Sequence, residues 1–133
     1  MIIGIDVGIS TTKIVGINPE GVVVSPIRIK ATDPVTSLYG AFGKYLYDNK
    51  INLADIEQVM ITGVGAAYID SSIYGLPTQK AEEFIADGLG ARYETDLDRM
   101  LVVSMGTGTS LVQCDGDDIR HIGGIGLGGG TLT

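Results

Sequence analysis

One cysteine, Cys114, stands among 133 residues. Neither a disulfide framework nor a cysteine-rich metal site can be built from it. Basic residues are also scarce: nine Lys and Arg against sixteen Asp and Glu give a net charge of -7. No basic cluster is visible along the chain, which argues against a nucleic-acid surface and against an anionic-membrane patch. No apolar run approaches the roughly 20 residues of a membrane span. The N-terminus has no basic region ahead of its first apolar stretch, so it does not read as a signal peptide. A soluble cytoplasmic protein, with neither nucleic acid nor membrane as partner, is the expectation. What the chain has is glycine. Twenty residues of 133 are about 15%, roughly twice the usual share. They cluster after apolar stretches, where tight turns or close ligand approach need them, rather than spreading as linker.

The opening shows the pattern. In GIDVGISTTK, Gly4 to Lys13, an apolar run stops at Asp6 and Gly8, as a buried strand does on reaching a turn. Three hydroxyls and a lysine follow, residue types that hold phosphate and a metal. Residues 2–7, 12–17 and 22–29 read as strands, with the turn NPEG at 18–21 between the second and third. The period then changes. Asp33 is an N-cap with Pro34 at the first helical position, and Leu38, Phe42, Tyr45 and Leu46 form one apolar face. A strand over 57–61 ends in glycines at TGVG (62–65), read as a structural turn. A short helix over 66–72, a brief extended piece and a helix from about Ala81 come next. From Met100 the chain returns to strand, glycine turn, strand, turn, strand, with Cys114 as sheet filler.

That return is a repeat. Displaced by 98 positions, Val7-Gly8 falls on Met105-Gly106, Ser10-Thr11-Thr12 on Gly108-Thr109-Ser110, and Ile14-Val15 on Val112-Gln113. The spacing predicts a duplicated phosphate-binding hairpin. Helices and a further strand fill residues 30–95 after the first copy. The second copy reaches only GGGTLT, where a helix should open. The expectation is therefore one domain over 1–95, then the opening strands of a second over 96–133, in the front part of a longer protein.

A duplicated strand-turn-strand phosphate clamp resembles the actin, sugar-kinase and Hsp70 superfamily. More specifically, GIDVGISTTKIV, the TG after the 57–61 strand, EEFIADGLG, MGTGTSL and GGIGLGGGT, in that order, resemble a type II pantothenate kinase. The glycine strings are weak motifs singly, and the ordered set of five is specific. The resemblance implies an α/β fold: a ribonuclease-H-like (actin-like ATPase) domain with a mixed sheet and helices on both faces, plus the first three strands of a second such domain. It implies transfer of the γ-phosphoryl of Mg·ATP to the primary hydroxyl of pantothenate, the first step towards coenzyme A. It also implies a homodimer, with coenzyme A or acyl-CoA as regulator. A fragment of this length should be inactive alone.

On that resemblance, Asp6 positions Mg2+, which keeps several waters and needs few protein ligands. Gly8, Ser10, Thr11, Thr12 and Lys13 bind ATP phosphate, as do Gly106, Thr107, Gly108 and Thr109, whose backbone amides form an anion nest. Glu83 is the catalytic base. The family's glutamate immediately precedes an aromatic or aliphatic residue, which selects Glu83 over Glu82. Without the resemblance, two glutamates opening a helix simply complement its dipole. Ser110, Arg120 and His121 bind substrate. The family has an arginine directly before the apolar residue and Gly-Gly, whereas this chain has His121 there and Arg120 one residue earlier. Neighbours in a strand point to opposite faces, so Arg120 substitutes only if the strand bulges or its long side chain curls round, and otherwise His121 donates in its place. Ser104 stands where much of the superfamily has aspartate and these kinases usually have asparagine.

Two other readings share the opening. Residues 4–13 also resemble the ATP-driven activator of 2-hydroxyacyl-CoA dehydratase or benzoyl-CoA reductase, which needs bridging cysteines for an iron–sulfur cluster; none lie where expected. A non-catalytic actin-like nucleotide-binding protein is the other, and Glu83 argues against it.

Overall fold

The structure is a computed structural model that describes residues 1–129. The chain divides into two compact units, Met1–Ala81 and the residues from Glu82 onward. Helix α2 (Glu83–Thr95) therefore belongs to the second unit, and the boundary lies at 81/82 instead of 95/96. The physical reason is Gly88. A Cβ there would sit 2.7 Å from Ile119 Cγ2 and 3.0 Å from Cys114 Sγ, so the helix backbone lies almost directly on the second sheet.

The first unit is a five-stranded mixed sheet in the order β3-β2-β1-β4-β5. Its strands are β1 (Ile2–Val7), β2 (Thr11–Ile17), β3 (Val23–Lys30), β4 (Gln58–Thr62) and β5 (Thr78–Lys80). β1 runs antiparallel to β2 and parallel to β4. Side chains alternate across the pleat: Ile3, Ile5, Val7 and Ile14 are buried on one face with Val59 and Ile61. Helix α1 (Pro34–Asn49) supplies Leu38, Ala41, Phe42 and Tyr45 to the same core. Its start is as the sequence predicts: the Asp33 side chain accepts from the Thr36 N–H at 2.9 Å, with Pro34 in the first turn. The expected 66–72 helix is a 3-10 segment over Val64–Tyr68. Among the described residues of this unit, α1 and this segment flank the face carrying Ile3, Ile5 and Val7, and Lys13, Arg28 and Lys30 on the other face are exposed.

β3 is an edge strand and carries a bulge. Ile14 pairs Ile27 while Gly16 pairs Val24, so Ser25 and Pro26 together oppose Val15. Ser25 takes φ 34°. A proline at an edge bulge costs no ladder hydrogen bond. The Tyr45 hydroxyl donates to the Val24 carbonyl here, reaching past Gly16, where a Cβ would lie 2.7 Å from that oxygen.

The second unit packs α2 on an antiparallel sheet β6-β7-β8, formed by Arg99–Met105, Thr109–Asp115 and Asp118–Ile125. Both copies of the repeat are thus antiparallel three-strand meanders with a glycine turn between their first two strands. Val112 and Cys114 are buried beneath α2, and Arg92 donates to the Gly116 carbonyl. On the opposite face, among the described residues, Leu101, Val103 and Met105 are exposed. The helix expected over GGGTLT lies, from Gly130, outside the described residues.

Candidate functional site

In the first unit, β1 ends at Val7 and the chain turns through Gly8–Ser10. The Gly8 N–H donates to the Thr11 carbonyl at 3.0 Å. A Cβ on Gly8 would sit 2.6 Å from that oxygen, so only glycine closes this turn without a shift. Asp6 lies opposite Lys13 across the hairpin, and Lys13 Nζ donates to Asp6 Oδ2 at 3.3 Å. The other oxygen, Oδ1, is buried with no hydrogen-bond partner. Gly63 closes over it: at φ 93°, its Cβ would lie 2.5 Å from both Asp6 Oδ1 and the Val7 carbonyl oxygen. The TGVG turn is structural, as expected, and also shapes the carboxylate's surroundings.

The structure separates the predicted hydroxyls. Thr11 shares a face with Lys13. Thr12 points into the core, fully buried, its Oγ1 without a partner. As a phosphate ligand Thr12 is therefore corrected: its side chain faces away from Asp6 and Lys13. Strand alternation carried this signal, because Ile14 must be buried and Thr12 shares its phase.

In the second unit the turn Gly106–Gly108 joins β6 to β7, with the Gly106 N–H donating to the Gly108 carbonyl at 2.8 Å. The later glycines fold back over it. Gly129 N–H donates to the Gly106 carbonyl at 2.7 Å, and a Cβ on Gly128 would come within 2.7 Å of the Thr107 oxygen. Thr109 Oγ1 donates to the Leu127 carbonyl at 2.7 Å, so this hydroxyl's proton is committed to holding the flap on the turn.

Glu83 opens α2 and Glu82 is its N-cap, in extended conformation. Ser104 pairs Ser110, and Ser110 pairs Gly124. By strand phase both serines lie on the α2 face with Val112 and Cys114. His121 joins them: it pairs Val112, and its ring centroid is 6.0 Å from that of Phe84. Arg120 lies on the other face. It lines a shallow depression with Gln113, Asp115 and Asp118, and Asp118 holds it at 2.9 Å, raising its pKa chiefly through their hydrogen bond. β8 does bulge, at Ile122, since Gly123 pairs Leu111 while His121 pairs Val112. The bulge comes after Arg120 and so does not bring it round to the α2 face.

Mg2+ is a hard cation that prefers carboxylate oxygen and retains water. Asp6, with one oxygen engaged by Lys13 and one orphaned, fits that chemistry. Among the described residues, no group of three or more His, Cys, Asp or Glu forms a fuller cage, and no helix is long and apolar enough to cross a membrane.

The fold is that of the actin-like ATPases and sugar kinases. The chain superposes on the activator of 2-hydroxyisocaproyl-CoA dehydratase from Clostridium difficile, solved with ADPNP, with TM-score 0.76 and 17% identity over 92% of this chain and 44% of that one. It superposes on a ROK-family glucokinase from Streptomyces griseus with TM-score 0.61 and 15% identity, covering 92% and 46%. In sequence it is similar to the type II pantothenate kinase of Staphylococcus aureus, 39% identical over 87 residues, which are 62% of this chain. The chain spans about a third (32%) of the length of that curated relative. No family model matches the sequence.

Proposed function

We propose that the chain is the part of a type II pantothenate kinase that binds nucleotide phosphate and carries the catalytic base. The whole protein would transfer the γ-phosphoryl of Mg·ATP to pantothenate. The observation that carries this reading is Asp6, a carboxylate with a buried, unpartnered oxygen beside a glycine turn and a lysine. Gly63 closes over that oxygen, which fixes the carboxylate and leaves Oδ2, on the Lys13 side, to hold a divalent cation directly or through water. Such an ion, held by Asp6, would supply charge neutralisation to the phosphates.

The chain's own groups divide the remaining work. Gly8 and its turn, with Ser10, Thr11 and Lys13, offer donors and positive charge to phosphate, and the Gly106–Gly108 turn offers backbone amides. Glu83 orients the attacking hydroxyl and accepts its proton. Ser110 and His121, on the α2 face, hold the acceptor; Arg120, tied to Asp118 on the other face, does not. The similarity to the Staphylococcus aureus kinase supports pantothenate as that acceptor.

The test measures phosphopantothenate formed by the gene product that carries this chain. Glu83→Gln should cut turnover by roughly 10²–10⁴, while Glu82→Gln costs little. Asp6→Asn should weaken Mg-dependent ATP binding as well. Sensitivity at Glu82 instead of Glu83 would shift the base by one residue. Turnover of other alcohols but not pantothenate would overturn the substrate.

A second reading, an ATP-driven activator, is favoured by the higher TM-score of the dehydratase component. Cys114, the one cysteine, is 2% exposed, which leaves this chain no accessible thiolate for a cluster. Iron bound in stoichiometric amount by the purified protein would support the activator instead.

A further inference from the structure

Along the sequence the basic residues look scattered, yet the sheet register gathers three of them. Asp6 pairs Lys13 and Lys13 pairs Arg28, while Thr11 pairs Lys30. Residues paired across neighbouring strands share a face and lie about 5 Å apart. Asp6, Lys13 and Arg28 thus form one lateral row, with Lys30 two residues along β3 towards the glycine turn. The Ala31 N–H donates to the Ser10 carbonyl at 2.9 Å, which ties the end of β3 to the turn itself.

The arginines of the second unit are all ion-paired: Arg92 with Asp117, Arg99 with Asp115 and Arg120 with Asp118. Arg28 and Lys30 are exposed and have no ion pair among the described residues. In a chain of net charge -7, three cations therefore face one carboxylate on an open surface bordering the phosphate turn.

We propose that Arg28 and Lys30 extend the phosphate site, so that β3 holds the polyphosphate chain of a nucleoside triphosphate against the Gly8 turn. The proposal rests on the nucleotide reading above and adds two ligands that the motif does not contain. Arginine's planar fork suits two phosphate oxygens at once, and lysine adds a point charge. The competing role for charged residues here is protection of the β3 edge against pairing with another chain. Edge protection needs no ligand and predicts no effect on phosphate affinity.

The experiment titrates the 133-residue chain with inorganic tripolyphosphate and, separately, with ATP, following backbone amide signals by NMR at low salt. Amides of Gly8, Ser10 and Thr11 should shift together with those of Arg28 and Lys30 at one common Kd. The double variant Arg28→Gln/Lys30→Gln should keep its amide spectrum and bind about tenfold more weakly, with a shallower salt dependence. Lys50→Gln, at the end of α1, should bind like the parent. If the turn amides shift but the double variant binds as tightly as the parent, the proposal falls and the nucleotide reading stands. An equal loss in Lys50→Gln also overturns it, since the effect is then of net charge alone. If neither probe shifts the Gly8 turn, both fall together.

Discussion

Replacing Gly63 by alanine should damage the first unit in two separable ways. The backbone there sits at φ 93°, ψ 164°, a region essentially reserved for glycine, and holding another residue in it costs about 1–3 kcal/mol. The new methyl would also meet Asp6 Oδ1 and the Val7 carbonyl oxygen at 2.5 Å, and overpacking of this kind costs about 1–3 kcal/mol. The total, near 4 kcal/mol, compares with roughly 4–12 kcal/mol for a unit of this length at typical per-residue stability. Gly75→Ala is the control: it too has positive φ, 74°, but nothing lies within 4 Å of its Cβ. That change carries only the backbone cost, about 1–2 kcal/mol. Urea unfolding read from amide signals of β1 and β4 would compare the two variants. Gly63→Ala should be the worse by roughly 2 kcal/mol, and its Asp6 should lose Mg-dependent nucleotide binding even where the unit stays folded. Equal destabilisation would refute the reasoning, because the close approach to Asp6 would then exert no force.

Tyr45→Phe removes the donor to the Val24 carbonyl and should cost about 1 kcal/mol. Burial raises the Tyr45 pKa above 10.0, so its contribution is present below pH 10 and lost as pH rises through the raised value; thermal melts of parent and variant should converge there, and a constant gap would contradict this. Asp33→Ala should lower the melting temperature by a few degrees. The Thr36 backbone N–H lowers the Asp33 pKa from 3.8, so that contribution is present above about pH 4 and disappears as pH falls through the lowered value; persistence of the gap in strong acid would refute the cap. Leu101, Val103 and Met105 are exposed on one sheet face, so the chain should associate as concentration rises. Leu101→Lys should reduce that association, and a parent strictly monomeric in light scattering at high concentration would count against it.

The repeat was legible because its signals are local. Glycine and threonine at fixed offsets between apolar runs define a turn whatever surrounds them, and both hairpins formed where the spacing put them. Asp33 with Pro34 fixed the start of α1 for the same reason. The allegiance of α2 was not legible. It depends on Gly88 meeting Ile119 and Cys114, a contact between residues far apart in sequence, and a helical glycine alone does not say which sheet it approaches. The cation row was hidden too, since Lys13, Arg28 and Lys30 meet only through the register of two hairpins. Thr12 is a different lesson: period-2 alternation already gave its direction, and reading three adjacent hydroxyls as one group overrode it.

The bulge in β8 has a consequence for how this chain tolerates change in length. On one side of Ile122, Gly123 pairs Leu111; on the other, His121 pairs Val112. Leu111 and Val112 are consecutive, so Ile122 has no counterpart in β7. Losing that one codon would turn the strand into an uninterrupted ladder while leaving every other pairing in place. Relatives that differ by a single residue here would keep the same two faces, with Ser110 and His121 still under α2.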